Sequence, residues 1–89
     1  MSDHPSITVY RTRACPFCVM AAELLKQLDV EFEEVFLDDH PDRQKVTSDI
    51  LPGHHTVPLV VVDGEPIGGF DELRQLQAAG RLEGLLRGD

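Results

Sequence analysis

The sequence comprises 89 residues, of which 42% are hydrophobic and 27% are charged, and its formal net charge is −8 at pH 7. This length supports one small domain with one hydrophobic core, and no apolar run reaches the ~18 residues that a membrane span requires. The acidic balance and the scattered Lys and Arg residues argue against a nucleic-acid partner, because phosphate contacts need a basic face. We therefore expect a single soluble domain over residues 1–89, with neither a membrane nor a nucleic acid as partner.

The first predicted elements are a short strand over Ile7–Tyr10 and a helix from Pro16 to about Leu28. β-branched and aromatic residues favour the strand, and Pro16 suits the first turn of a helix, where its missing N–H needs no partner. Apolar residues recur in this helix at the helical period and should form its buried face. They are Val19, Ala22, Leu25 and Leu28.

A second strand is predicted over Glu31–Leu37, which begins with alternating polar and apolar residues. Strand, helix and strand together form a parallel crossover unit, expected to be right-handed. A short, mostly polar helix from Asp42 to about Ser48 follows, and Pro52 and Gly53 mark the turn behind it.

The fully apolar run Leu59–Val62 predicts a buried strand. Asp63 and Gly64 are typical of a two-residue type I′ turn, which returns the chain antiparallel over Glu65–Ile67.

Gly68 and Gly69 free the backbone for a sharp turn into the third long helix. Asp71 is predicted to cap that helix, and Gly80 to close it, before a short helical segment over Leu82–Leu86. This order of elements predicts an α/β sandwich around a four-stranded mixed sheet.

The two cysteines of the chain, Cys15 and Cys18, stand three residues apart at the predicted start of the first helix. The free N–H groups and positive dipole end of a helix start stabilise a thiolate, which for Cys15 means a reactive nucleophile. Side chains three apart on a helix come within roughly 5–6 Å, so a disulfide can open and close. Arg11 and Arg13 make this stretch locally basic. The pattern predicts a redox pair.

Two other interpretations of the cysteines are less well supported. A structural disulfide across so short a loop would remove little entropy from the unfolded chain. A zinc site needs two further ligands, and the adjacent pair His54 and His55 lacks the usual ligand spacing. We therefore expect no metal ligands and no tightly bound cofactor.

Four local motifs, in their order along the chain, resemble those of a dithiol glutaredoxin within the thioredoxin-fold superfamily. They are Cys15-Pro16-Phe17-Cys18, Thr56-Val57-Pro58, Gly68-Gly69 and Phe70-Asp71. The resemblance covers nearly the whole chain and implies a thioredoxin-like α/β sandwich, with the four-stranded mixed sheet flanked by helices.

The resemblance also implies roles for individual residues. Cys15 takes the part of the nucleophile and Cys18 that of the resolving thiol, while Pro58 is cis and the Val57 peptide pairs with the cysteine moiety of glutathione. The residues that it assigns to glutathione are Arg13, Phe17, Thr56, Val57, Pro58, Gly69, Phe70 and Asp71. An N-cap role for Asp71 is compatible with this assignment, because the same helix start can hold a carboxylate.

The chain departs from the glutaredoxin pattern at two positions. Thr12 stands where these proteins commonly carry a lysine for a glutathione carboxylate, and Phe17 replaces the usual tyrosine. His54 and His55 occupy a segment that often holds a basic or amide residue. The residue that meets the glycyl carboxylate therefore stays open.

The function implied is a glutathione-dependent thiol–disulfide oxidoreductase, or thioltransferase, with glutathione as co-substrate and disulfide-containing or glutathionylated proteins as partners. One alternative is a redoxin that a thioredoxin-reductase-type flavoprotein reduces directly and that serves as a hydrogen donor. Another is a glutathione-ligated iron–sulfur carrier, against which Pro16 argues. A lone redox pair fits a reducing compartment, so we expect a cytoplasmic protein active in electron transport and cell redox homeostasis, and a monomer.

Overall fold

The computed structural model describes residues 5–88, so Met1–His4 and Asp89 of the predicted domain lie outside the described residues. This part of the chain forms four strands and four helices. They are β1 (Ile7–Arg11), α1 (Pro16–Gln27), β2 (Glu33–Phe36), α2 (Arg43–Ile50), β3 (Leu59–Val62), β4 (Glu65–Gly68), α3 (Phe70–Ala78) and α4 (Leu82–Arg87).

The strands form one mixed sheet in the order β2-β1-β3-β4. β1 pairs parallel with β2, as the strand–helix–strand unit predicts, and antiparallel with β3, where Val9 faces Val60. β3 pairs antiparallel with β4 through a two-residue turn. Asp63 and Gly64 both have positive φ, 51° and 80°, which confirms the type I′ turn. The α/β architecture with a four-stranded mixed sheet is therefore confirmed.

The core lies between the sheet and helices α1, α3 and α4. It contains Ile7, Val9, Ala21, Leu24, Leu25, Val60, Val62, Leu73, Leu82 and Leu86. Among residues 5–88, no helix is both long enough and apolar enough to cross a membrane.

The buried face of α1 differs from the prediction at one position. Val19 is 41% exposed, whereas Cys18, Ala21, Ala22 and Leu25 are buried. Residues three and four apart share a helix face, and Ala21, Ala22 and Leu25 lie three, four and seven residues after Cys18, on its face of the helix. The buried face of this helix therefore includes Cys18 and leaves Val19 at the surface.

The start of α3 was also predicted two residues too late. Gly69, not Asp71, is the N-cap, and Asp71 and Glu72 lie in the first turn. The Gly69 N–H donates to Glu72 Oε1 at 2.6 Å, so a carboxylate from inside the helix satisfies the cap residue. Gly80 adopts the left-handed conformation (φ 71°) directly after the C-cap, as predicted.

Candidate active site

Cys15 is the N-cap of α1, and its side chain occupies the place that a serine or aspartate oxygen takes at other helix starts. Its backbone is extended (φ −86°, ψ 113°), Pro16 follows at the first helical position, and the Cys18 N–H donates to Cys15 Sγ at 3.2 Å. The first turn of α1, which lies wholly within the described residues, holds no acidic side chain. The helix start therefore presents the positive end of its dipole and the Cys18 N–H to this sulfur.

Cys18 lies one turn further into α1 and is completely buried, while Cys15 is half-buried, and both are free thiols. Burial raises the pKa of Cys18 to about 12, and a side-chain hydrogen bond with Cys15 adds to this effect. A hydrogen bond with the Thr12 backbone lowers this pKa, as does the positive charge of Arg11. Cys18 is consequently a neutral thiol at pH 7.

The segment before β3 faces the first cysteine. The Val57–Pro58 peptide bond is cis, as the resemblance implied, and the Val57 carbonyl accepts from Cys15 Sγ at 3.7 Å. This contact joins two segments 42 residues apart in the sequence. A bond partner of the Cys15 sulfur would therefore lie beside the Val57 backbone.

A cleft of about 490 Å³ opens along this segment. It is lined by Phe17, His54, Thr56, Val57, Pro58, Gly69, Phe70, Asp71 and Glu72. All residues that the sequence assigned to glutathione line it except Arg13. Phe17 is 57% exposed, and the centre of its ring lies 6.3 Å from the centre of the Phe70 ring. The starts of α1 and α3 thus face each other across the cleft.

Arg13 does not line the cleft. Its backbone N–H donates to Asp38 Oδ2 at 3.1 Å, and its guanidinium lies 5.3 Å from the centre of the Phe36 ring. A role for Arg13 toward glutathione stays a prediction. Arg11 is buried and pairs with Glu34 at 2.7 Å, so its charge is not free at the surface.

Two cleft residues, His54 and Glu72, were missed as site residues. His54 Nε2 donates to the Pro58 carbonyl at 3.2 Å and ties the loop to the cis-proline turn. Glu72 holds the Gly69 N–H and thereby fixes the start of α3. The spacing Gly69-x-x-Glu72 fits the second half of a capping box and could have identified Glu72. Nothing in the sequence distinguishes His54 from its neighbour His55.

The fold and the paired thiols define a redox protein of the thioredoxin-like class. A half-buried sulfur at a helix start, a second thiol one turn behind it and a cis-proline turn against the first sulfur are the parts of a thiol–disulfide exchange site.

Comparison with known proteins gives the family. The family model for glutaredoxin matches residues 7–67. A probable glutaredoxin of Synechocystis sp. is 34% identical over 86 residues, covering 97% of this chain and 98% of that protein. Glutaredoxin-C2 of Arabidopsis thaliana is 39% identical over 83 residues, covering 91% of this chain and 75% of that one. The chain belongs to the glutaredoxin family, whose members are generally oxidoreductases.

A solved structure supports the same assignment. The buckwheat glutaredoxin–glutathione complex superposes with a TM-score of 0.83 at 27% identity, covering 92% of this chain and 76% of that one. The thioredoxin-like fold implied by the sequence motifs is therefore confirmed.

Proposed function

We propose that this protein is a glutathione-dependent thiol–disulfide oxidoreductase that reduces glutathione mixed disulfides and protein disulfides through Cys15 and Cys18. The contact between Cys15 Sγ and the Val57 carbonyl carries the proposal, because it puts the nucleophile at the wall of the cleft between the two helix starts. The buckwheat relative that was solved as a glutathione complex supports the choice of ligand.

The reaction on a glutathionylated protein needs only Cys15. Its thiolate attacks the glutathione sulfur of the mixed disulfide, the Cys15–glutathione bond forms, and the protein thiolate leaves with the electron pair. A second glutathione thiolate then attacks the glutathione sulfur, which releases Cys15 as a thiolate and glutathione disulfide as product. Each step exchanges one disulfide for another, so no further oxidant or reductant is needed.

The reaction on a protein disulfide engages the second thiol. Cys15 attacks one substrate sulfur, and the resulting mixed disulfide is resolved by Cys18, which forms the Cys15–Cys18 disulfide and frees the substrate dithiol. The intramolecular thiol has a high effective concentration, so this resolution outpaces attack by an external thiol. Two glutathione molecules then reduce the Cys15–Cys18 disulfide again.

Glutathione fits the cleft in a defined direction. The Val57 backbone offers N–H and C=O groups to the cysteinyl unit, as an added strand would require. The first-turn N–H groups of α3 donate to the γ-glutamyl carboxylate, while the Asp71 carboxylate accepts from the γ-glutamyl ammonium. The two charges at this end of the ligand thus meet partners of opposite sign.

The glycyl carboxylate falls at the other side of Val57. Thr12 is only 7% exposed and cannot replace a surface lysine there. A second depression, which shares Thr56 and Val57 with the cleft, is also lined by Arg43 and Gln44. We assign the glycyl carboxylate to this depression, because a guanidinium and an amide both donate to carboxylates.

A coupled assay tests the proposal. Purified protein is supplied with a glutathionylated peptide, glutathione, glutathione reductase and NADPH, and separately with thioredoxin reductase and NADPH in place of the glutathione system. We expect turnover with glutathione and little with the flavoprotein alone. Turnover with thioredoxin reductase and none with glutathione would overturn the proposal in favour of a directly reduced redoxin. A coloured protein with iron and sulfide would favour the iron–sulfur carrier.

A further inference from the structure

A groove between helices α1 and α3 lies beside the active-site cleft, and the proposed reaction does not use it. Its volume is about 270 Å³. Met20 and Phe70 line the end nearer the helix starts, Gln27 and Gln77 line the far end, and Leu24 lies between them. Phe70 also lines the active-site cleft, so the groove adjoins the cleft at this residue.

The near end of the groove exposes apolar side chains to solvent. Met20 is 46% exposed, and the more exposed Phe17 lies three residues before it on the same face of α1. The Phe17 ring in turn lies beside the Phe70 ring. Adjoining exposed apolar side chains, unlike scattered ones, are typical of interaction sites. Phe17, Met20 and Phe70 thus form one apolar surface that leads from the cleft into the groove.

The remaining side chains of the groove indicate which kind of molecule fits it. Exposed Glu23 on α1 and exposed Arg74 on α3 supply one charge of each sign, so net charge favours neither an anion nor a cation. Gln27 and Gln77 carry amide groups that can donate to and accept from a peptide main chain. The volume of about 270 Å³ is smaller than the roughly 300–1,000 Å³ of a pocket for a free small molecule. This combination favours an apolar side chain on a polypeptide.

Distances along α1 show which part of a polypeptide would reach the groove. Met20 stands five residues after Cys15, which is about 7.5 Å along the helix axis. Gln27 stands twelve residues after Cys15, which is about 18 Å along the axis. An extended chain advances roughly 3.3–3.6 Å per residue, so about two residues cover the first distance and about five cover the second. A polypeptide bonded to Cys15 therefore reaches the groove with residues about two to five positions from its own cysteine.

We propose that the groove between α1 and α3 is the docking site for protein substrates, and that it binds an apolar side chain about two residues from the substrate cysteine. This inference rests on the proposed function, because the mixed disulfide with Cys15 holds the substrate beside the groove. Met20 forms the apolar wall, and its unbranched side chain adapts to apolar groups of different shape. The main chain of the substrate then follows Gln27 and Gln77. Docking in this groove leaves the Val57 wall of the cleft to glutathione.

The test uses two cysteine peptides that differ only near the cysteine. One carries leucine and the other glutamine at the second position on both sides, so either direction of the chain along the groove is tested. Each peptide is activated as its mixed disulfide with nitrothiobenzoate. In the Cys18→Ser protein, the Cys15 thiolate attacks the peptide sulfur, the Cys15–peptide disulfide forms, and coloured nitrothiobenzoate leaves with the electron pair of the broken bond. Its release, followed by stopped-flow absorbance, gives the rate of attack without any glutathione.

We expect the leucine peptide to react roughly three- to tenfold faster than the glutamine peptide, because docking buries part of an apolar side chain before the attack. Addition of Met20→Gln should remove most of this preference, and addition of Met20→Leu should keep it. The matched control is Val19→Gln, which changes the adjacent exposed apolar residue of α1, outside the groove. That variant should keep the full preference for the leucine peptide.

Three results would overturn the inference. The first is an equal rate for the two peptides in the Cys18→Ser protein. The second is a preference that Met20→Gln leaves intact, and the third is a preference that Val19→Gln removes to the same extent, since either would separate the preference from the groove. Failure of the coupled glutathione assay would overturn the proposed function without changing these rates, so the failures of the two proposals can be distinguished.

Discussion

The starts of helices α1 and α3 border the same cleft but are built with opposite charge. At α1 the cap is the Cys15 sulfur, which accepts from the Cys18 N–H at 3.2 Å, and the fully described first turn holds no acid. At α3 the cap is Gly69, and the first turn carries both Asp71 and Glu72. Glu72 is already engaged with the Gly69 N–H, so Asp71 is the acid left to face the cleft.

The two helix starts therefore use the same backbone feature, their free N–H groups and positive dipole end, in two different ways. A helix start without acids leaves its positive end for a single anion, which in the proposed reaction is the Cys15 sulfur. A helix start with a carboxylate in its first turn repels a simple anion and favours a ligand that brings an ammonium beside its carboxylate. The γ-glutamyl end of glutathione has this arrangement. The comparison therefore predicts that Cys15 variants abolish chemistry, whereas Asp71 variants change ligand preference.

Removal of the sulfur at α1 has the largest expected effect. Cys15→Ser should lower turnover of glutathionylated peptide on the order of a thousandfold or more, because the hydroxyl has no base to activate it. Cys18→Ser, the matched variant one turn away, should keep that activity and lose much of its activity on protein disulfides. Parallel assays on both substrates check this. Equal losses of both activities in Cys18→Ser would reject the division of roles.

Removal of the free acid at α3 has the next largest effect. Asp71→Ala should weaken the use of glutathione by about 1–2 kcal/mol, roughly 5- to 30-fold in kcat/KM, because one charged hydrogen bond is lost. Glu83→Ala, which removes an exposed first-turn acid from α4, is the control and should have no effect. Steady-state kinetics with glutathione and with a small dithiol measure the contrast. An identical loss with both reductants would mean that Asp71 does not recognise glutathione.

An acid added to the first turn of α1 should have a smaller effect. Phe17→Glu would give α1 the charge pattern of α3 and slow alkylation of Cys15 about two- to fivefold relative to Phe17→Gln, since a charge at a helix start contributes about 0.3–1 kcal/mol. Both variants lose the same aromatic ring, so their ratio isolates the charge. Iodoacetamide kinetics at low and high salt measure it. The ratio should fall toward one as salt screens the charge, and a salt-independent ratio would contradict an electrostatic cause.

The raised pKa of Cys18 has the smallest expected effect at neutral pH, because it changes the stability of the protein only at higher pH. Because the folded state raises the pKa of Cys18 from 9.0 to about 12, the unfolded chain loses this proton first. The resulting stabilisation is complete below pH 9 and is lost as the pH rises toward 12. Denaturant unfolding of the reduced protein and of Cys18→Ala should therefore show a stability difference that is constant near pH 7 and shrinks above pH 9. A difference that is constant up to pH 11 would show that burial does not perturb Cys18.

Most of the fold could be predicted from the sequence because its signals are local. The apolar run Leu59–Val62, the Asp63-Gly64 turn and the Gly80 helix end each act through their own backbone preferences, and each prediction was confirmed. The two errors arose where tertiary structure decides. Val19 has the right period for the core, but in the folded protein the buried face of α1 runs through Cys18, and Val19 is exposed. Aspartate is a common capping residue, but in the structure Gly69 is the N-cap, and its N–H donates to Glu72 rather than to Asp71.

The site was predictable only as far as its motifs extend. The cysteine pair and the Thr-Val-Pro segment can both be recognised in the sequence, and the structure brings Cys15 and Val57 into contact. The partners of Arg11 could not be predicted, because the neighbour that pairs with it stands 23 residues away on another strand. His54 was missed for a different reason, since its bond to the nearby Pro58 carbonyl depends on how the loop folds back.

The central claim is that glutathione lies along Val57 with its γ-glutamyl end at the start of α3 and its sulfur on Cys15. Titration of Cys18→Ser protein with glutathione disulfide, followed by two-dimensional NMR of the backbone amides, tests it most directly. The account predicts large shifts at Cys15, Val57, Phe70 and Asp71, and none at the distant Lys26. Shifts confined to the neighbourhood of Cys15, with Val57, Phe70 and Asp71 unmoved, would contradict it.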